Sequence, residues 1–196
     1  MVKAKTKERL ILEKAVEILA KGGIVVFPTD TVYGFGCKFD DKVAVSRLYQ
    51  IKGTPKNQPM PVLIDKKSYL KKFGCKVPPA AKKLINTFWP GAVTLIFNSK
   101  FGKIGLRMPN HPITLSLISE AGFPIIGTSA NFHRKPTPKS FSELDGNFLE
   151  KVDFVLEGEC FLQKESTIVD FTTSPPKVLR QGALRPALQD SGRSSG

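Results

Sequence analysis

The sequence predicts a single-domain α/β protein with one twisted, open, mixed sheet flanked by helices. Apolar residues at helical spacing alternate along the chain with short apolar runs that are typical of strands. The last third is richer in strand-like runs, separated by Pro, Gly and Thr, which favours a mixed sheet over a purely parallel one. A length of 196 residues, 41% of them hydrophobic and 24% charged, fits one domain that can bury a core without disulfides.

The first helix and the first strand follow from apolar spacing and from the glycines between them. Leu12, Ala15 and Leu19 recur at intervals of three and four residues, so they share one helix face. The glycines at positions 22–23 end this helix. The apolar run over residues 24–27 is then typical of a strand, which ends at a proline.

The same two patterns continue to the end of the chain. Asp40 or Asp41 is placed to cap a second helix, since a carboxylate accepts hydrogen bonds from the first free N–H groups. The strand beginning at Ile125 is expected to run into a polar loop over residues 127–138. The other predicted elements are helices with buried stripes at positions 44, 48 and 51, at 81, 84, 85 and 88, and at 114, 117, 118 and 121, and strands over residues 61–64, 93–97, 104–108, 154–156, 167–170 and 178–179.

Composition limits the function only broadly. A formal net charge of +13 indicates affinity for polyanions such as nucleic acid, anionic lipid or nucleotide phosphates, although a solvated lysine-rich surface explains it as well. No run of 18 apolar residues is present, and the basic N-terminus lacks the uninterrupted apolar core of a signal peptide. We therefore expect a cytoplasmic protein. The three cysteines and two histidines show no metal-ligand spacing, so no metal site is expected.

The common catalytic signatures are not found in the sequence. There is no P-loop, no H-E-x-x-H and no G-x-S-x-G, and Phe39 occupies the third glycine position of a dinucleotide fingerprint that Gly34 and Gly36 would begin. Polar residues gather instead where the predicted strands and helices end, which is where ligands of α/β sheets usually bind. Each of these segments can also be explained by structure alone. Residues 28–34 could form a turn whose side chains hydrogen-bond the local backbone, and Lys52 could be an ordinary basic residue at a helix end.

Taken in order, these segments resemble the YrdC family, known as threonylcarbamoyl-AMP synthases. The matching landmarks are residues 27–34, Lys52 with Pro55, residues 61–64, residues 89–91 with Thr94, residues 107–109, residues 128–131, residues 166–170, and residues 179–180 with Gly182. The resemblance covers roughly residues 10–185. It implies a YrdC-like fold with a concave basic face and a single domain over residues 1–186, as in the short family members. The polar, Gly- and Ser-rich composition beyond Pro186 separately predicts a disordered tail over residues 187–196.

The resemblance also implies site residues. Those expected to bind threonine are Thr31, Tyr33, Arg107, Gly127 and Ser166. Those expected to bind ATP are Lys52, Thr54, Ser129, Asn131, Thr137 and Arg180, with Lys52 and Arg180 as the catalytic cations. The implied reaction is that of a nucleotidyltransferase, which forms threonylcarbamoyl-adenylate and pyrophosphate from L-threonine, bicarbonate and ATP with Mg²⁺, for threonylcarbamoyladenosine modification of tRNA. It needs no protein-bound metal or organic cofactor. The implied partners are downstream tRNA-modification proteins, with direct tRNA or RNA contact also allowed, and no membrane.

Three positions depart from the family pattern. Thr54 stands where the family has an arginine, Leu63 where some members have a histidine, and Lys103 where a threonine is common. A threonine cannot replace the planar, multi-donor guanidinium as a phosphate ligand, so Lys56 or Lys103 is a candidate for the missing charge. Two alternative functions therefore stay open. One is a non-catalytic module that binds tRNA or double-stranded RNA, and the other is a paralogue with a different carbamoyl or nucleotide substrate.

Overall fold

The structure is a computed structural model that describes residues 6–186. The helices are α1 (Lys7–Ala20), α2 (Lys42–Lys52), α3 (Tyr69–Lys72), α4 (Pro79–Phe88), α5 (Pro112–Ala121) and α6 (Gly146–Leu149), with a 3₁₀ turn at Phe141–Glu143. The strands are β1 (Val25–Phe27), β2 (Gly34–Lys38), β3 (Val62–Leu63), β4 (Val93–Ser99), β5 (Gly102–Arg107), β6 (Ile125–Ser129), β7 (Phe154–Val155), β8 (Thr167–Asp170) and β9 (Lys177–Arg180).

The nine strands form one open sheet in the order β7-β1-β2-β6-β3-β5-β4-β8-β9. The pairs β1–β7, β3–β5 and β4–β8 are parallel, and the remaining pairs are antiparallel. The prediction of a single open, mixed sheet flanked by helices is therefore confirmed. The concave basic face that the family resemblance implies stays a prediction.

The residues at the two ends of α2 explain where this helix begins and ends. Asp41, and not Asp40, caps α2, because its Oδ1 accepts hydrogen bonds from the backbone N–H groups of Val43 and Ala44 at 3.0 and 2.9 Å. The same helix ends at Gly53, whose φ of 68° lies in the left-handed region that glycine adopts at little cost. Since Lys52 is the last residue of α2, this ending fixes where its side chain leaves the helix.

Side-chain alternation divides the helices between the two faces of the sheet. Val25 and Leu63 belong to an apolar cluster that includes residues of α1 and α5. Val26 and Val62 point to the opposite face, where they belong to the clusters that include α2, α3 and α4. The parallel register pairs Leu63 with Arg107, so this arginine lies on the α1 and α5 face.

The structure differs from the sequence prediction in one strand that was missed and in one loop boundary. Strand β2 was not predicted, because Gly34 and Gly36 leave one of its faces without side chains and the apolar alternation is lost. Glycine is required at position 36, where a Cβ atom would lie 2.5 Å from the Ile126 carbonyl oxygen. The polar loop predicted over residues 127–138 begins later, because β6 continues through Ser129 and pairs with β2.

Two expectations concern the ends of the chain and membranes. The predicted disordered tail at residues 187–196 lies outside the described residues. Within residues 6–186, no helix is both long enough and apolar enough to span a bilayer.

Candidate active site

A cleft of about 530 Å³ brings the predicted site residues together. It is walled by the sheet face that carries Leu63 and Arg107 and by the loops that follow β1, α2 and β6. Every residue that the family resemblance implied lines it: Thr31, Tyr33, Lys52, Thr54, Arg107, Gly127, Ser129, Asn131, Thr137, Ser166 and Arg180. Their roles in binding and catalysis stay predictions, but residues far apart in the sequence share one site.

Arg107 is the centre of one hydrogen-bonded group of cleft residues, here called the Arg107 end, and it is 7% exposed. Its Nε donates to the Gly91 carbonyl at 3.2 Å, its Nη1 to Thr31 Oγ1 at 2.9 Å, and its Nη2 to Asp30 Oδ1. A guanidinium has five N–H groups, so one on Nη1 and one on Nη2 have no partner among residues 6–186. Guanidinium donors on two nitrogens can bind the two oxygens of a carboxylate.

Asp30 forms a buried ion pair with Arg107 and was not among the predicted site residues. Burial lowers the pKa of Arg107, and the Asp30 carboxylate opposes this shift by favouring the charged guanidinium. Asp30 Oδ2 has no hydrogen-bond partner among residues 6–186. The pair therefore keeps Arg107 charged and oriented although both side chains are removed from water.

Thr31 is held by its neighbour and by Arg107. Its hydroxyl lies 2.8 Å from Thr29 Oγ1, and its backbone N–H donates to the same atom at 3.0 Å. Thr29 Oγ1 also donates to the Val32 carbonyl at 2.7 Å. The turn that the sequence offered as a plain interpretation of residues 28–34, with side chains hydrogen-bonded to the local backbone, is thus present. This turn also places Thr31 in the cleft, so it is compatible with a functional role.

Ser166, just before β8, and Arg180, the last residue of β9, complete the Arg107 end. Ser166 Oγ lies 3.0 Å from Thr94 Oγ1, and Arg180 donates to the carbonyl and the hydroxyl of Ser166 at 3.0 and 3.2 Å. Arg180 also pairs with Glu165 at 3.1 Å. The two arginines are close enough for the charge of Arg180 to contribute to the lowered pKa of Arg107. Each arginine here has a carboxylate partner, so an anion would be bound by the guanidinium donors rather than by an excess of positive charge.

Lys52 is the centre of a second hydrogen-bonded group of cleft residues, here called the Lys52 end, and it is 6% exposed. Its Nζ donates to the Ser129 carbonyl at 2.7 Å, to Ser129 Oγ at 3.1 Å and to Asn131 Oδ1 at 2.5 Å. These bonds use all three donors of the ammonium. Asn131 Nδ2 in turn donates to the Lys135 carbonyl at 2.5 Å. Burial lowers the pKa of Lys52 to about 8, and the charge of Glu165 opposes this.

Thr54 lies beside Lys52 but is already engaged. Its Oγ1 lies 3.1 Å from Nδ1 of His133, which also lines the cleft. The two lysines considered as substitutes for the missing arginine are not among the residues that line the cleft. Lys56 is exposed, and Lys103 lies 3.8 Å from Asp170. The cations that do line this end, besides Lys52, are Arg134 and Lys135.

Tyr33 and Gly127 shape the cleft rather than offering free polar groups to it. The Tyr33 hydroxyl donates to the Gly158 carbonyl at 2.6 Å and accepts from the Gly158 N–H at 2.9 Å. Burial raises the pKa of Tyr33 to about 12, so the phenol stays protonated. A Cβ atom on Gly127 would lie 3.3 Å from Leu63 Cδ1, so glycine keeps the sheet face open at this point.

Sequence reasoning missed several residues of the cleft. Asp30 and Thr94 lie inside the recognised landmarks, but their contacts to Arg107 and Ser166 are visible only in the folded chain. His133 and Arg134 carry no motif, and only the folded turn reveals that they reach the cleft. Among residues 6–186, no group of three or more His, Cys, Asp or Glu side chains is arranged to hold a metal ion.

Comparisons with known proteins agree on one family. The Sua5/YciO/YrdC family model, described as telomere recombination, matches residues 17–182. The threonylcarbamoyl-AMP synthase of Pyrococcus abyssi (strain GE5 / Orsay) is 34% identical over 87% of this chain and 53% of its own length. That of Bacillus subtilis (strain 168) is 35% identical over 88% of this chain and 54% of its own length. The chain thus spans about half the length of these two relatives.

Solved structures extend the likeness to the fold. The structure of P. abyssi Sua5 complexed with L-threonine superposes with a TM-score of 0.84 at 33% identity, covering 91% of this chain and 56% of that one. The structure of Escherichia coli YciO gives a TM-score of 0.80 at 31% identity and covers 91% of both chains. The fold is therefore shared over most of the chain with a protein of similar size.

Proposed function

The chain belongs to the Sua5/YciO/YrdC family, and we propose that it is a threonylcarbamoyl-AMP synthase. The observation that carries this proposal is the cleft itself, in which all eleven residues implied by the family resemblance converge. Relatives of similar sequence bear that name, and one solved relative was crystallised with L-threonine. The two ends of the cleft differ in chemistry as the two halves of such a reaction require.

The Arg107 end suits the amino acid. The two unused N–H groups of Arg107 would bind the threonine carboxylate in a two-point fashion, with Thr31 and Ser166 beside it. Arg180, which donates to Ser166, lies where it can share the negative charge of the carbamate. The threonine nitrogen would attack the carbon of bicarbonate and release water, which leaves a carbamate anion.

The Lys52 end suits the nucleotide. A carbamate oxygen would attack the α-phosphorus of ATP, a new P–O bond would form, and the bond to the β-phosphate would break with release of pyrophosphate. Lys52 would balance the charge of the phosphates, and Ser129, Asn131 and Thr137 would orient phosphate and ribose. No covalent nucleophile is needed, because positioning and charge stabilisation suffice for transfer at phosphorus.

The hydrogen bonds of Lys52 give it two functions in this scheme. All three of its donors are used within the protein, so it can donate directly to a phosphate only by releasing one of them. The longest bond, at 3.1 Å to Ser129 Oγ, is the one to release, which would free the serine hydroxyl for the same phosphate. Lys52 would therefore both hold Asn131 in place and supply charge.

Further parts of the scheme are proposed with it. ATP would arrive as its Mg²⁺ complex, so the metal belongs to the substrate. Bicarbonate is the third substrate. Downstream tRNA-modification proteins would take up the adenylate, which is a reactive mixed anhydride, in the cytoplasm. The alternatives, an RNA-binding module or a paralogue with another substrate, draw their support from the exchange of the family arginine for Thr54.

The Lys52→Ala variant tests the nucleotide half of this proposal. We expect it to lose threonylcarbamoyl-adenylate formation, measured by separating the labelled product from ATP, because the charge and the anchor of Asn131 are both removed. Lys56→Ala is the matched control, since Lys56 is exposed and does not line the cleft, and it should keep the wild-type rate. An unchanged rate in Lys52→Ala, with a normal unfolding transition, would contradict the assignment.

A further inference from the structure

The Lys52 end lacks the guanidinium that its family uses for phosphate, although the proposed function still requires the charge of three phosphates to be balanced. Thr54 has a short neutral side chain, and its hydroxyl is engaged by His133. Neither Lys56 nor Lys103 lines the cleft. A second cation at this end, in addition to Lys52, would therefore come from another part of the chain.

The turn over residues 132–135 is the segment that packs on Thr54. The N–H of Lys135 donates to the Phe132 carbonyl at 3.0 Å, which closes the turn. The N–H of His133 donates to the Lys52 carbonyl at 2.8 Å, and Asn131 Nδ2 holds the Lys135 carbonyl. The turn is thus fastened to the residues that we propose bind the nucleotide.

Arg134 occupies an unfavourable backbone conformation in this turn. Its φ is 64°, in the left-handed region that a residue with a side chain adopts at a cost and that glycine adopts freely. Its side chain is exposed and lines the cleft, and its guanidinium forms no hydrogen bond or ion pair with any residue from 6 to 186. Strained residues of this kind concentrate at functional sites, where the side chain is retained for its chemistry.

We propose that Arg134 supplies the guanidinium missing at position 54 and binds the β- and γ-phosphates of ATP. This inference rests on the proposed function. No residue from 6 to 186 occupies the donors of Arg134, and the backbone on both sides of it is fixed, so little backbone ordering is needed when an anion binds. Lys135 lies next to it but offers a point charge, whereas a guanidinium reproduces the planar, multi-donor geometry that suits phosphate oxygens.

The β- and γ-phosphates are the expected ligands because of where the turn lies. Its fastening contacts go to Lys52, Thr54 and Asn131, and the proposed function assigns the Arg107 end to the amino acid. A nucleotide whose α-phosphate meets the carbamate near Lys52 would extend its pyrophosphate toward this turn. Arg134 would then stabilise the leaving group as well as the bound substrate.

The test compares the binding of ATP with Mg²⁺ and of AMP to four proteins by titration calorimetry. The proteins are the wild type, Arg134→Gly, Arg134→Lys and the control Lys139→Gln, which removes one exposed charge outside the cleft. Arg134→Gly should weaken ATP binding by about tenfold or more, since it removes a charge-assisted bond, and should leave AMP binding unchanged. Arg134→Lys should recover part of the loss, and Lys139→Gln should match the wild type.

Folding is an independent readout for the same variants. Glycine is suited to the left-handed conformation, so Arg134→Gly should unfold at or above the wild-type temperature while binding ATP more weakly. Equal ATP affinities of Arg134→Gly and the wild type would overturn the inference, as would an equal loss for ATP and AMP. A wild type that binds neither nucleotide would overturn the inference and the proposed function together. A wild type with the expected binding pattern but no adenylate formation would contradict the proposed function alone.

Discussion

Lys52 is a buried cationic residue, of which only 6% is exposed. Burial is the main cause of its low pKa of about 8, against an ordinary value of 10.5. Below about pH 8 both the folded and the unfolded chain bind this proton, so the cost of burying the charge is present in full. Between pH 8 and 10.5 the unfolded chain binds more protons, and the contribution of Lys52 to the free energy of unfolding rises with pH.

The affinity for ATP should fall as the pH rises, whereas the contribution of Lys52 to the free energy of unfolding increases. Above about pH 8 the ammonium loses its proton, so the dissociation constant of ATP should rise by up to about tenfold per pH unit. Burial holds the pKa of the neighbouring Tyr33 at about 12, so this residue does not titrate in the same window. Titrations from pH 7 to 9.5 would measure the effect, with Lys52→Gln as the control that should bind weakly at every pH. A flat profile in the wild type would show that the charge of Lys52 is not used.

The side chains of the cleft differ in how far the sequence could reveal them. Arg107, Ser129 and Asn131 lie in segments that resemble a family pattern, so the sequence is enough to name them. Asp30 became recognisable only as the buried partner of Arg107, because an aspartate between two threonines is typical of an ordinary turn. Arg134 has no motif, and its relevance depends on a backbone angle that the sequence does not contain.

At the scale of elements, the connection after β9 holds the Arg107 end in place. A Cβ atom on Gly182 would lie 2.2 Å from the Glu165 carbonyl oxygen and 2.4 Å from the Ser166 carbonyl carbon. The Gly182 N–H also donates to Thr167 Oγ1 at 2.9 Å. Any side chain here must move the backbone between Glu165 and Ser166, and this movement would carry Arg180 with it.

Gly182→Ala should therefore lower both stability and activity. We expect a loss of about 1–3 kcal/mol in the free energy of unfolding from overpacking. Adenylate formation should fall by about tenfold or more, because small displacements of positioning groups are costly in catalysis. Gly146→Ala is the matched control, since nothing lies within 4 Å of its Cβ position. Chemical denaturation and product formation would measure the two effects, and equal behaviour of the two variants would contradict the role given to Gly182.

Strands were predictable where apolar residues run together, and β2 was missed because glycine occupies alternate positions in it. Strands β1, β4 and β8 carry continuous apolar or branched residues and were found from the sequence. Strand β2 has glycine at two alternate positions, so its pairing with β1 and β6 depends on the approach of backbones rather than on side chains. The short helices α3 and α6, four residues each, are below the length at which helical spacing can be recognised.

For the molecule as a whole, one sheet brings together residues from Thr31 to Arg180. The helices α1 and α5 pack with Val25 and Leu63 on the same face of the sheet that carries Arg107. The cleft lies along this face and is bordered by loops, as binding sites of α/β sheets commonly are. The family likeness covers this arrangement, since the Sua5 and YciO structures superpose on most of the chain.

The most direct test of the proposed function is pyrophosphate release from ATP and Mg²⁺, measured with and without L-threonine and bicarbonate. We expect release only when both are present, because the carbamate must form before the α-phosphate can be attacked. Release with a different amino acid would instead identify a paralogue with another substrate. No release under any condition, from a folded protein that binds RNA in a salt-dependent manner, would contradict the synthase and favour a binding function.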